Sequence, residues 1–192
     1  LLEEHSESLD CGMRGECEST FLDLCENVRQ GEEFRNVDNV CFVHPKKGEL
    51  IKNPLRPLEQ SLEKLPFPAT ELFEYQKIIN KNQMALFHFN RGCPYPCTYC
   101  SAQKLAKEYG TVKEGLRQMP ARKAIDTIKF TIEKYDVPSN TLLLFTDDLF
   151  TMYKDWLYEF LDLYEAEIAR PFWSTARSNT ASDEQFDRLK RA

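Results

Sequence analysis

The chain has 192 residues, with 31 acidic against 25 basic side chains and a formal net charge of −6. That balance provides no basic face for nucleic acid, and no apolar run approaches the ~20 residues needed to span a bilayer. Seven cysteines, an odd number with no signal peptide ahead of them, read as reduced thiols in a cytoplasmic protein rather than a disulfide framework.

Ser8 to Arg14 predicts a strand of weak quality. Gly15-Glu16-Cys17-Glu18 opens a helix lined by Phe21, Leu24, Cys25 and Val28, and Gly31 stops it. Val40 to Val43 and Glu49 to Lys52 flank Pro45-Lys46-Lys47-Gly48, a hairpin signal. Closely spaced prolines follow, in Asn53-Pro54-Leu55-Arg56-Pro57-Leu58 and again in Leu65-Pro66-Phe67-Pro68, and make a stiff, extended connector.

Met84 to Asn90 is short, apolar and aromatic-rich, and predicts a buried strand. A helix begins near Pro120, with Ile125, Ile128, Ile132 and Tyr135 on one stripe, and Val137-Pro138-Ser139-Asn140 breaks it. Thr141 to Thr146 predicts a second buried strand. The next helix carries Leu157, Phe160, Leu161, Tyr164 and Ile168 on one face. Pro171 to Ala176 predicts a third strand, and Ser182 with Gln185 forms a capping box for a third helix. Strands alternating with helices imply an α/β fold with parallel pairing. In a β/α barrel the chemistry sits at the carboxyl ends of the strands. The cysteine loop, Asp147 with Asp148, and Arg177 with Asn179 follow the three strands in turn, so three reactive clusters are expected on one rim.

Between the first strand and the helix at Pro120 lies Arg91-Gly92-Cys93-Pro94-Tyr95-Pro96-Cys97-Thr98-Tyr99-Cys100-Ser101. Iron–sulfur cubanes normally take four cysteines. Three thiolates in one loop hold three irons and leave the fourth open for a substrate. A structural zinc site would want two separated pairs, and a ferredoxin-type cluster a fourth nearby cysteine. Cys11, Cys17, Cys25 and Cys41 have no such spacing. His5, His44 and His88 suggest no ligand set, and His88 reads as a satisfied barrel-interior side chain.

The spacing Cys93-x-x-x-Cys97-x-x-Cys100, with Tyr99 before the last cysteine, resembles the signature of the radical S-adenosylmethionine (SAM) family. The resemblance implies a 4Fe-4S cluster on Cys93, Cys97 and Cys100, with SAM chelating the fourth iron. It implies a partial (β/α) barrel, of which the chain holds the first half. Asp147 or Asp148 would hold the SAM ammonium, where many members carry a Gly-Gly-Glu-like motif; capping of the following helix is the alternative for one of the two. Arg177 would pair with the SAM carboxylate, or else with a neighbouring acidic helix. Tyr99 would lie beside the cluster and the adenine, or serve as a core aromatic.

The first part of the chain resembles the tail of the cobalamin-binding domain of B12-associated radical SAM proteins, through the Gly15-Glu16-Cys17-Glu18 helix start, the hairpin and the Leu65-Pro66-Phe67-Pro68 linker. The alternative is a generic αβ extension without a ligand. The implied organisation is residues 1–35 as the end of a Rossmann-like α/β cobalamin domain, 36–80 as hairpin and proline-rich linker, and 81–192 as the barrel's first half. Gly15 and Glu16 would border the cobalamin. The implied activity is reductive SAM cleavage followed by methylation or rearrangement of an unactivated carbon of a small molecule. Electrons would come from a flavodoxin- or ferredoxin-like donor. A cobalamin-independent oxidoreductase and a non-catalytic or electron-transfer iron–sulfur protein are the alternatives. A start at leucine and a stop at Ala192, inside the third helix, read as a piece of a longer protein, since three strands cannot close a barrel.

Overall fold

Two units make up the computed structural model, which describes residues 2–192. One takes in the chain up to Leu58 together with Lys104–Thr111; the other holds Glu59–Gln103 and Val112–Ala192. The division therefore falls directly after the first proline-rich segment, so the hairpin and the later prolines lie in different units.

In the first unit, β1 (Gly12–Met13), β2 (Val40–Val43) and β3 (Leu50–Lys52) form an antiparallel sheet in that order. The hairpin matches its sequence signal, with Gly48 at φ +67 in the turn. β1 is shorter than expected, because only Gly12 and Met13 find partners, on Cys41 and Val40. Helix α1 (Glu18–Gln30) ends on left-handed Gly31, whose N–H reaches the carbonyls of Asn27 and Val28. Its packing departs from the predicted stripe. Thr20 is buried and donates to Asp38 O at 3.3 Å, and Leu24 packs on Val37, Val40 and Phe42. Those two positions set the inner line, so Phe21 and Cys25, about 100° further round the helix, stay exposed, as does Val28. Asn39 stitches the unit together. It adopts φ +68, its amide donates to Glu16 O at 2.8 Å, and its side-chain oxygen accepts from Arg56 N at 2.5 Å.

The second unit contains α2 (Tyr75–Asn82), β4 (Met84–Phe87), the start of α3 (Ser101–Glu108), α4 (Ala121–Lys134), β5 (Leu142–Phe145), α5 (Lys154–Glu167), β6 (Phe172–Ser174) and α6 (Asp183–Arg191). β4, β5 and β6 pair in that order and all in parallel, Phe87 opposite Phe145 and Phe145 opposite Ser174. The Ser182–Gln185 capping box at α6 is present in both directions. Helices α2 and α3 were not foreseen; the Ala, Leu, Lys and Glu of Ser101–Glu108 were the available signal for α3.

Alternation along β4 and through the two residues after it puts Ala85, Phe87 and Phe89 into the core and leaves Met84, Leu86 and His88 exposed. The buried side meets Leu143 and Phe145 from β5, Ala124, Ile125 and Ile128 from α4, and Trp156, Phe160 and Tyr164 from α5. Phe145 is its centre, with the rings of Phe89, Phe150, Phe160 and Phe172 all 5.1–5.5 Å away. Burying each such ring contributes about 1.5–3 kcal/mol. This one-sided burial ties the strands to α4 and α5 and fixes which ends of the strands share a rim. His88 lies just past the strand with Nδ1 3.1 Å from Thr146 O, so it is partnered as expected but exposed rather than buried.

Candidate functional site

β4 stops three residues earlier than the sequence suggests, for a reason that builds the site. The backbone N–H groups of Phe89 and Asn90 turn to the Asp147 carboxylate, at 3.3 Å and 2.6 Å, instead of to β5. The chain then pairs with the segment before α4: Arg91 N and Arg117 N each donate to the other's carbonyl, at 2.9 and 3.0 Å. Gly92 sits at φ +83, and a Cβ there would overlap the carbonyl of Gly115, whose carbon is 2.8 Å away. Gln103 Nε2 donates to Cys93 O at 3.3 Å, and Cys100 N to Cys97 O at 3.1 Å. The cysteine loop is thus pinned on both flanks, and of the groups that pin it Gln103, Gly115 and Arg117 carried no signal in the sequence.

Cys93, Cys97 and Cys100 are all free and half-buried. Burial pushes the Cys93 thiol up, and the nearby Asp148, Cys100 and Cys97 push the same way, which records that these groups lie within electrostatic reach of one another. Arg177 Nη1 donates to Cys97 Sγ at 3.6 Å, its guanidinium lies 4.0 Å from the Tyr95 ring centre, and its Nε donates to Asn179 Oδ1 at 3.3 Å. All three clusters read from the strand ends therefore meet on one rim. Tyr99 is 91% exposed, so the core-aromatic alternative fails.

The two aspartates have separated. Asp147 is buried and accepts from the loop backbone, while Asp148 is exposed. Burial holds the Asp147 carboxyl above its ordinary 3.8, against the lowering effect of the Asn90 N–H. A carboxyl raised in the folded state favours folding below its unfolded value and loses that contribution as pH rises through the raised one. Asp147→Asn keeps one acceptor oxygen and removes the titration. Urea midpoints measured across a pH series should therefore show wild type losing stability relative to Asp147→Asn from about pH 4 upward. Parallel curves would show that Asp147 does not titrate in this range.

Gly15 and Glu16 belong to the other unit. Gly15 has φ +75, its close approach is to the Tyr109 side chain, and Glu16 N donates to the Tyr109 hydroxyl at 2.9 Å. The approach that the glycine permits is therefore taken up within its own unit.

Whether the rim suits an iron–sulfur cubane is decided by its donors. Among the described residues, no three His, Cys, Asp or Glu side chains gather tightly enough to hold a single metal ion. A cubane does not ask for that, because each thiolate takes a separate iron. Three free thiols from one short loop suit it. So does Asn90, three residues ahead of Cys93: its Oδ1 is taken by Met119 N, and its buried Nδ2 has no acceptor among the described residues, a partner that cluster sulfur would supply.

No family model matches the chain. Among curated proteins it is 30% identical over 136 residues to the anaerobic magnesium-protoporphyrin IX monomethyl ester cyclase of Rubrivivax gelatinosus, covering 67% of this chain and 23% of that protein. It is 34% identical over 106 residues to the hopanoid C-3 methylase of Methylococcus capsulatus, covering 53% and 19%. The chain thus spans about a quarter or less of these relatives. Among solved structures, the radical SAM methyltransferase TsrM of Kitasatospora setae, with cobalamin and a 4Fe-4S cluster bound, superposes with a TM-score of 0.69 at 14% identity, covering 95% of this chain and 36% of that one. The three-cysteine loop, the parallel strands that carry it and these relatives together place the chain in the radical SAM family, among the proteins that carry a cobalamin-binding domain.

Proposed function

We propose that the intact protein is a radical SAM enzyme that methylates or rearranges an unactivated carbon of a small molecule, with cobalamin as a further cofactor. The observation that carries this reading is the rim itself. Free thiols of Cys93, Cys97 and Cys100 stand at the carboxyl end of a parallel strand, with the Arg177 cation on one and the Asp148 carboxylate within reach of another. A 4Fe-4S cluster bound there supplies the electron for reductive cleavage of SAM. Cys93, Cys97 and Cys100 hold three irons. Asp148, exposed, accepts the SAM ammonium, whereas Asp147 is committed to the loop backbone and positions the cysteines. Arg177 has N–H groups beyond those used on Cys97 and Asn179, and these pair with the SAM carboxylate. Tyr99 presents an open ring on which the adenine stacks. The site works in a cytoplasmic enzyme fed by a low-potential donor of flavodoxin or ferredoxin type. No helix among the described residues is long and apolar enough to cross a membrane.

Incubation of the reconstituted intact protein with SAM and a strong reductant tests the reading: release of 5′-deoxyadenosine is expected, and its absence from a fully loaded protein would overturn the enzyme reading. A charge-assisted hydrogen bond is worth about 1.5–3 kcal/mol. Asp148→Ala should therefore retain the cluster yet bind SAM roughly tenfold to a hundredfold more weakly. Unchanged affinity would remove Asp148 from the SAM site.

Cobalamin is proposed to bind through the N-terminal domain, with Gly15 and Glu16, supported by Tyr109, at the border of its site. Titration of the intact protein followed by visible spectroscopy should give a saturable complex. SAM cleavage without any such complex would leave the radical SAM reading standing and end the cobalamin one.

A further inference from the structure

Arg177 holds two contacts that a SAM-binding role does not require. Its Nη1 lies 3.6 Å from Cys97 Sγ, a hydrogen-bond distance for the large sulfur atom, and its guanidinium carbon lies over Tyr95, 4.0 Å from the ring centre. Asn179 Oδ1 accepts from Nε at 3.3 Å and fixes the fork from the other side. The side chain is exposed, so a free arginine here would sample many rotamers. Stacking on an aromatic face and a side-chain acceptor two residues on confine it against one thiol of the loop.

We propose that Arg177 is a positioning residue that sets the reduction potential of the cluster through Cys97, with Tyr95 as the platform that holds it there. The inference rests on the reading of Cys97 as a cluster ligand. Reduction adds one electron, and therefore one negative charge, to the cluster and its thiolates. A fixed cation donating an N–H to one of those sulfurs stabilises the reduced form more than the oxidised form and raises the potential. Hydrogen bonds to sulfur and local charge are the levers by which a protein tunes such clusters. Lysine keeps the charge but has no planar fork to stack and donate at once; glutamine keeps a donor and loses the charge.

The test is an EPR-monitored redox titration of the reconstituted intact protein, without SAM, in wild type, Arg177→Gln, Arg177→Lys and Tyr95→Leu. Iron is counted in each first. All four should carry the same cluster, because Arg177 and Tyr95 are not ligands. At a fixed applied potential, Arg177→Gln should hold about tenfold less reduced relative to oxidised cluster, a shift of ~59 mV to more negative potential for this one-electron couple. Tyr95→Leu should shift the same way by less, and Arg177→Lys should recover part of the Arg177→Gln loss. Equal potentials in wild type and Arg177→Gln at equal iron content would overturn the proposal. Should Arg177→Gln lose iron, the comparison of Tyr95→Leu with wild type decides in the same way. Failure of the underlying reading looks different: wild type would then take up no cluster, or Cys97→Ala would load as much iron as wild type.

Discussion

Alanine at Cys93, Cys97 or Cys100 is expected to abolish iron loading, whereas wild type reconstituted without oxygen should carry about four irons and four sulfides. A cubane bound by three thiolates has no spare protein ligand, so loss of any one leaves two irons open and the cluster dissociates. Cys11→Ala and Cys41→Ala should load normally. Cys41 is buried in the small antiparallel sheet opposite Gly12, and Cys11 packs beside the Val37, Val40 and Phe42 cluster. Iron and sulfide assays on the five variants check this directly. Iron loss in Cys11→Ala equal to that in Cys97→Ala would refute the three-thiolate assignment.

The second large effect is expected from Gly92→Ala, which changes no ligand. At φ +83 an alanine carries about 1–3 kcal/mol of backbone strain. Its Cβ would also run into the Gly115 carbonyl, a backbone group that cannot swing aside as a side-chain tip would. The Arg91–Arg117 pairing beside it must then open, and with it the flank that holds Cys93 in place. A lower urea midpoint together with reduced iron loading is the expected outcome. Gly115→Ala is the control, because a Cβ at that position meets nothing within 4 Å and should leave both readouts near wild type. Equal behaviour of the two variants would mean that the close approach at Gly92 is not what shapes the loop.

Local patterns were enough to find the strand–helix alternation from Met84 onward, the hairpin at Val40–Lys52, the Gly31 stop, the Ser182 cap and the cysteine loop. Each is encoded within a few residues of itself: a run of apolar side chains that suits a buried strand, a glycine where left-handed backbone is needed, a hydroxyl that meets a free helical N–H, three thiols at fixed spacing. The same patterns could not give the orientation of α1, because Thr20 and Leu24 face inward only on account of what Asp38 and the Val40 strand offer them. They left the two aspartates equivalent. Asp147 became the buried clasp because the register of β5 on β4 sets its carboxylate under the N–H groups of Phe89 and Asn90, 58 and 57 residues away in the chain. Arg177 likewise reached Cys97 only once β6 had paired beside β5, across a separation of 80 residues. Spacing along the chain therefore determined the kind of chemistry this protein carries, since that depends on residue types held a few bonds apart. Which carboxylate faces solvent, which cation sits on sulfur and which glycine is indispensable were decided by the parallel sheet, because those depend on distances that only strand pairing creates.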